Sequence, residues 1–343
     1  MYLTIQGEIK RINKNYKMNK CSKNRQGVQM KIEKIEELDN LKFENFRFKI
    51  IEDKLIIKNI GEKYEIKFSL NDKRRIKIAE SIEKLTGLKL RFSKLDGREI
   101  ISYIESKGFN KTIWSLAGKA MCDYNMIEEG DRVAVGVSGG KDSLALLNIL
   151  VRVKLITRLN FEIIPIHIHP KQKSVATNEI EDYCKILGLE LIIEETNLED
   201  ILFGEDKMKN PCFMCGRMRR GILYRLMKER NINKLALGHH KDDIIETFLL
   251  NTFYQGNLGV MKPRYMSKEH GLEVIRPMAY IEESTVIKYA KRIKLPILKS
   301  ECQYETSKDS KRLEMKEMVE RLSEKSENVR SVIFNSIKPL LKD

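Results

Sequence analysis

Long apolar runs are missing from this chain. No stretch of its 343 residues approaches the roughly 20 uninterrupted apolar residues of a helical membrane span. The N-terminus, MYLTIQGEIKRINKNYKMNK, lacks the apolar core of a signal peptide. A folded protein of the cytoplasm, without membrane contact, is the expectation. Cysteine is scarce as well: six residues, unevenly spaced, with one C-x-x-C pair. That is too few for a disulfide framework and leaves roles as thiols, metal ligands or catalytic groups. Acid is in deficit, 49 Asp and Glu against 64 Lys and Arg, for a net charge of +15. Residues 1–99 hold 25 of the basic residues and only 15 of the acidic ones. This uneven surplus points to nucleic acid ahead of a membrane or a small acidic substrate.

The 42% apolar content suffices for a substantial core, and the length suits two domains. Residues 1–30 read as a basic flexible arm with a single acid, Glu8. Residues 31–105 read as a small α+β domain of unassigned role. Its alternating stretch 41–70 predicts two or three antiparallel strands, NDKRRIKIAESIEKLTG predicts a basic amphipathic helix, and a further helix is expected near 97–107. Residues 106–305 form the main domain, followed by a helical tail over 306–343.

Within 106–305, five apolar strand candidates occur in VAVGVS, FEIIPIHIH, LELIIEE, INKLALG and LEVIRPM, most of them separated by helical patterns. That alternation predicts a doubly wound, mostly parallel five-stranded α/β sheet, whose ligands bind at the carboxyl ends of the strands. The first strand runs into SGGKDS, residues 138–143, and then into a helix. Glycines there let backbone N–H groups approach a ligand, and the helix N-terminus adds partial positive charge, which suits a phosphate or pyrophosphate. Ser138 and Ser143 offer hydroxyls, Lys141 a counter-charge, and Asp142 either a helix cap or a magnesium contact. The spacing is not that of a Walker A loop. A plain strand-to-helix turn is the alternative on local grounds.

Cys212 and Cys215, in NPCFMCGRMRRGILYR, admit three readings. A structural zinc site needs four ligands, and His239 and His240, adjacent on an extended segment, point to opposite faces. A redox dithiol would place its first cysteine at a helix start. A [4Fe–4S] cluster held by Cys212, Cys215 and Cys302 would leave one iron without a protein ligand, an open position for sulfide. Cys184 and Cys122 are expected to pack in helices; Cys21 has no assigned role. After the pair, Met218, Ile222 and Leu226 should face the core. Arg217, Arg220 and Tyr224 lie on another face, where they could contact phosphates and stack on a base. In LALGHHKDDIIET, Asp242 and Asp243 suit a helix N-terminus, and His239, His240 and Asp243 could rim a nucleotide pocket. His167 and His169 share one face at the end of the second strand, as pocket lining or as a zinc pair.

SGGKDS after a β-branched strand resembles the pyrophosphate loop of the N-type ATP pyrophosphatases. Together, AGKAMCDYNMIEEGDRVAVGVSGGKDS, CFMCGRMRRGILYR and LALGHHKDDIIETFLLNTFY resemble the tRNA 2-thiocytidine synthetase family over roughly residues 110–305. The resemblance implies an adenine nucleotide alpha hydrolase-like fold. It places ATP on Ser138, Gly139, Gly140, Lys141, Asp142 and Ser143, with His167, Gly238, His239 and Asp243 around it and Mg2+ at Asp142. It makes Lys141, Asp142, Cys212, Cys215 and Cys302 catalytic, the three cysteines as [4Fe–4S] ligands, and Arg217 and Arg220 contacts to tRNA. Where the family often carries a proline-containing C-x-x-C, this chain has ECQYE. The implied reaction adenylates the C2 carbonyl of an anticodon-loop cytidine and replaces that oxygen with sulfur. The donor would be a cysteine desulfurase or inorganic sulfide, and a homodimer is left open. The alternatives are thiolation of another base such as uridine, a cysteine persulfide in place of the cluster, and a nucleotide- and RNA-binding regulator without turnover.

Overall fold

The computed structural model describes residues 29–32, 35–70, 75–92, 108–157, 159–169, 175–203, 211–267, 270–298 and 311–342. Cys21, Cys302 and the helix expected over 97–107 lie outside the described residues. The chain divides into two compact units, 1–103 and 104–343.

In the first unit, β1 (Gln29–Ile32) pairs in parallel with β6 (Lys89–Phe92). Strands β2 (Lys42–Phe43), β3 (Phe46–Ile51), β4 (Lys54–Asn59) and β5 (Tyr64–Ser69) form an antiparallel meander. Helix α1 (Arg75–Thr86) precedes β6. Phe46, Phe48, Leu55, Ile57 and Phe68 alternate inward and meet Ile78, Ile82 and Leu90 in one core. The meander has four strands rather than two or three. Its turns run through Glu44, Glu52 and Lys63 at positive φ, where the sequence has none of the Asn or Asp residues that usually tolerate that conformation.

The second unit is built on a six-stranded sheet in the order β11-β12-β10-β7-β8-β9. Its strands are β7 (Arg132–Gly136), β8 (Glu162–His169), β9 (Ile192–Glu195), β10 (Lys234–Ala236), β11 (Arg264–Ser267) and β12 (Leu272–Ile275). Five are parallel, as expected; β11 adds a sixth, antiparallel edge strand on β12. That strand escapes sequence reading because its four residues, RYMS, carry neither an apolar run nor full burial.

Helices α2 (Ser115–Asp123), α3 (Lys141–Ile156), α4 (Val175–Ile186), α5 (Leu198–Phe203), α6 (Pro211–Glu229), α7 (Lys241–Gln255) and α8 (Glu283–Ile293) connect or flank these strands. Buried Asn148 of α3 bonds Tyr289 of α8 at 3.1 Å and accepts from Tyr183 of α4 at 2.7 Å, fixing three helices to one another. The segment expected as a tail forms α9 (Lys311–Lys325) and α10 (Val329–Ile337). Met315, Val319, Phe334 and Ile337 bury against Ile244, Ile245 and Leu249 of α7, so these helices complete the unit's core. None of the described helices is long and apolar enough to cross a membrane.

The order of the strands positions the site. From β7 the chain winds outward to β8 and β9, then returns to β10 on β7's other side, so the loops after β7 and β10 diverge from neighbouring strands and open a crevice between them. At the opposite end, buried Lys234 lies 2.8 Å from Asp131 and 3.1 Å from Glu273, which pins the amino ends of β7, β10 and β12.

Candidate nucleotide and thiolation site

The loop after β7 is a close-fitting turn. Gly139 has φ +82°, a conformation that favours glycine, and a Cβ there would lie 2.8 Å from the Leu298 side chain, which would have to move. Ser143 Oγ donates to Gly140 O at 3.0 Å, and Ser138 Oγ accepts from Gly140 N at 3.3 Å and lies 3.3 Å from Ser143 Oγ. Both hydroxyls thus converge on the first turn of α3. Gly238, in the loop after β10, faces the same turn. A Cβ on it would stand 2.9 Å from the Asp142 carbonyl carbon and 3.1 Å from Ser143 N, both rigid backbone atoms.

Lys141 Nζ lies 2.9 Å from Asp142 Oδ2 and 3.0 Å from Glu283 Oε1. Burial alone would lower its pKa, but these two carboxylates hold it above the ordinary lysine value. Asp142 does not cap α3; its Oδ1 is buried without a partner among the described residues. Glu283 also lies 2.7 Å from Lys316 of α9. Burial would raise the Glu283 carboxyl, but Lys316 and Lys141 hold it down to about 2.

The two histidines of the β10 loop diverge. His240 turns back to cap α7: its ring accepts from Asp243 N at 3.4 Å, while Asp243 Oδ2 accepts from His240 N at 2.8 Å. Asp243 Oδ1 also meets Arg312 of α9 at 2.8 Å, and Asp242 meets Arg330 of α10 at 2.8 Å. Glu246, one turn along α7, lies 3.3 Å from Arg312, and burial raises its pKa against that pairing. His239 faces the other way and takes Arg276 Nε at 3.1 Å. Burial, reinforced by Arg276, pushes its pKa down to about 3. On β8, His167 Nδ1 lies 2.7 Å from Val137 O. Since a carbonyl only accepts, Nδ1 carries the proton and Nε2 is a bare acceptor, buried without a partner among the described residues. Burial lowers the His167 pKa, with the Val137 carbonyl opposing and His169 and Arg219 reinforcing the shift.

Helix α6 starts at Pro211, a residue suited to the first helical turn. It places residues 212 and 215 one turn apart. Cys215 is a free, half-buried thiol packed against the apolar cluster of Leu223, Leu226 and Met227. Leu226 is buried, with Met218 and Ile222 partly buried beside it, as the spacing predicts. Tyr224 corrects the expectation of a base-stacking residue. It is buried in that same cluster, its ring centroid 4.4 Å from that of His270, because the turn of α6 brings it over β12 and not to solvent. Arg217 and Arg220 are exposed. Cys184 is buried and its thiol is pushed up to about 12, consistent with packing. Cys122 is exposed, because α2 buries Ala117, Ala120 and Met121 instead.

Sequence reading missed Glu283, Arg276, Arg312, Lys316 and Arg330. Only Arg276 carried a signal: a charged residue at the carboxyl end of a buried parallel strand, in VIRPM. The others meet the site through helix packing that spacing does not encode.

This crevice, with its glycine loop between a central strand and α3, is that of a nucleotide-binding α/β enzyme. Residues 112–313 match the PP-loop domain family, and the chain belongs to it. Among individual proteins it is similar to the tRNA-cytidine(32) 2-sulfurtransferase of Syntrophotalea carbinolica, 40% identical over 237 residues that cover 68% of this chain and 90% of that protein. The enzyme of the same name from Aliivibrio salmonicida is 44% identical over 191 residues, 55% of this chain and 62% of its own length. Among solved structures it resembles the U34-tRNA thiolase NcsA from Methanococcus maripaludis with its [4Fe-4S] cluster. That match has a TM-score of 0.54 at 26% identity and covers 66% of this chain and 78% of that one.

Proposed function

We propose that the protein is an ATP-dependent tRNA sulfurtransferase that converts a cytidine to 2-thiocytidine, releasing AMP and pyrophosphate. The observation that carries this reading is the meeting of the Ser138–Ser143 loop with Gly238 at the crevice between β7 and β10, in a chain whose α6 opens with two cysteines. The relatives' shared activity on tRNA cytidine supports the substrate.

In this reading the backbone of Gly139 and Gly140, the Ser138 and Ser143 hydroxyls and the N-terminus of α3 hold the phosphates of ATP. Lys141 offsets charge that develops on the leaving pyrophosphate, and Asp142, with one unpartnered oxygen, binds Mg2+. His167, His239 and Asp243 line the nucleotide pocket. The cytidine C2 oxygen bonds to the α-phosphorus, the bond to pyrophosphate breaks, and a sulfur nucleophile then displaces AMP from C2. Holding the two substrates together supplies proximity.

Cys212 and Cys215 suit an iron–sulfur group: they are soft thiol donors one helical turn apart, and Cys215 sits in an apolar shell. Cys302 is the third ligand in this proposal. A [4Fe–4S] cluster bound there would supply an iron free of protein ligands at which sulfide can be held. Arg217 and Arg220 contact tRNA. A cysteine desulfurase or inorganic sulfide provides the sulfur.

The test is mass spectrometry of nucleosides from tRNA of a deletion strain. Loss of 2-thiocytidine with other thionucleosides intact is expected. Loss of a thiouridine alone would move the reaction to another base, and an unchanged nucleoside profile would end the thiolation reading.

A further inference from the structure

Arg276 follows β12 directly, at the carboxyl end of the sheet, and is only 6% exposed. Its Nη1 donates to Lys262 O at 2.6 Å, its Nε donates to His239 Nδ1 at 3.1 Å, and its Cζ lies 5.2 Å from the centroid of the Tyr265 ring. Each of these partners is neutral. Among the described residues, no carboxylate lies within ion-pair distance of this guanidinium. Four other basic groups of the unit are matched: Lys234 by Asp131 and Glu273, Arg264 by Glu273, Arg312 by Asp243 and Glu246, and Arg330 by Asp242.

A buried cation with neutral partners alone is unfavourable, because its lost hydration is not repaid by an opposite charge. Burial pulls the Arg276 pKa below the ordinary arginine value, and the nearby positive charge of Arg220 adds to that pull. Asp243, itself paired with Arg312, and more weakly Arg220 also act electrostatically on His239. The hydrogen bond fixes the histidine's polarity. A guanidinium N–H can only donate, so Nδ1 of His239 accepts and the ring proton sits on Nε2. His239 therefore presents an N–H donor beside the Arg276 guanidinium. A buried guanidinium with no carboxylate in ion-pair distance among the described residues, beside a neutral N–H donor, has the chemistry of a receptor for phosphate.

We propose that Arg276, Arg220 and His239 Nε2–H form a phosphate-binding subsite at the carboxyl ends of β10 and β12, beside the glycine loop. Its ligand is a phosphate group, contributed by the RNA backbone next to the target base or by the nucleotide. The subsite rests on the sulfurtransferase reading only for the identity of those two ligands. Arg220 lies on the helix that carries Cys215, so an RNA phosphate held there would bring its nucleotide toward both the cysteine pair and the glycine loop.

The test uses the full-length protein with Arg276→Gln, Arg220→Gln and the double substitution. Two titrations are run on each: a non-hydrolysable methylene analogue of ATP, and unmodified tRNA over a range of salt. If the phosphate belongs to RNA, tRNA affinity falls at least several-fold, the slope of log affinity against log salt drops by roughly one unit per lost contact, and analogue binding stays within twofold. If it belongs to the nucleotide, analogue affinity falls and the tRNA slope is unchanged. Arg220 is a tRNA contact in the proposed function in any case, so Arg276→Lys, which keeps the buried charge but loses the planar fork, decides the matter if Arg276→Gln fails to fold. Both affinities within twofold of wild type in Arg220→Gln, or a lower melting temperature with unchanged affinities in Arg276→Gln, would overturn the subsite. Because both readouts are binding constants, they are independent of whether the wild type thiolates cytidine.

Discussion

Lys141 and Glu283 meet at 3.0 Å across 142 residues of sequence, and Glu283 in turn lies 2.7 Å from Lys316 of α9. The carboxylate therefore sits between the lysine of the glycine loop and a lysine of a helix that extends beyond the matched PP-loop domain. Replacing Lys316 with Met leaves Glu283 held by Lys141 alone and draws that lysine away from a bound phosphate. The expected outcome is a higher KM for ATP with a smaller change in kcat, read by pyrophosphate release and restored by Lys316→Arg. Lys141→Met removes the charge itself and should lower kcat roughly 100-fold.

The same ion pairs make stability depend on acid. The Glu283 carboxyl is held at about 2, below its ordinary 4.5. A depressed carboxyl contributes stability that is fully present above pH 4.5 and is lost as pH falls from there toward 2. With discount for partial exposure, on the order of 2 kcal/mol should disappear across that window. Denaturant midpoints measured from pH 5 to 2 should fall less steeply in Glu283→Gln than in the wild type.

Gly238→Ala forces a methyl group to within 2.9 Å of the Asp142 carbonyl carbon and 3.1 Å of Ser143 N. These are backbone atoms of the first turn of α3, so the turn has to shift. A destabilisation of about 1–3 kcal/mol is expected, together with a loss of ATP turnover out of proportion to it. Thermal melting and pyrophosphate release measured on the same preparation separate the two effects.

The cysteines should divide by spectrum. Cys215→Ser should abolish the visible absorbance of anaerobically reconstituted protein, whereas Cys184→Ala should keep it and lower only the melting temperature, since Cys184 is fully buried. Retention of the spectrum in Cys215→Ser would remove that thiol from the cluster.

Helix α6 offers a paired test of burial against charge. Tyr224→Ala should cost about 3 kcal/mol of stability, the price of emptying a buried aromatic position. Arg217→Ala, on the exposed face, should leave stability unchanged and reduce the salt slope of tRNA binding by roughly one unit.

By itself the sequence determined the strand, glycine loop and helix of residues 132–156, the five parallel strands, and the helix that follows the cysteine pair. These are local properties: apolar runs, glycines between a strand and a helix, and the four-residue spacing of Met218, Ile222 and Leu226 speak for themselves along a few residues, whereas the start of that helix at Pro211, ahead of the cysteines, came from the structure. The four-stranded meander was undercounted because β2 is only two residues long, and β11 was missed because its four residues, RYMS, carry no apolar run. Only tertiary structure decided that Gly238 must be bare, since what a Cβ would strike belongs to another loop. It also decided that Tyr224 is core, that Cys122 is not, and that Arg312, Lys316 and Arg330 reach acids on α7 and α8. The isolation of Arg276 belongs to the same class. A buried charge becomes informative only when every neighbour is known, and those neighbours come from β10, β11 and α6, which the sequence keeps apart and the fold brings together.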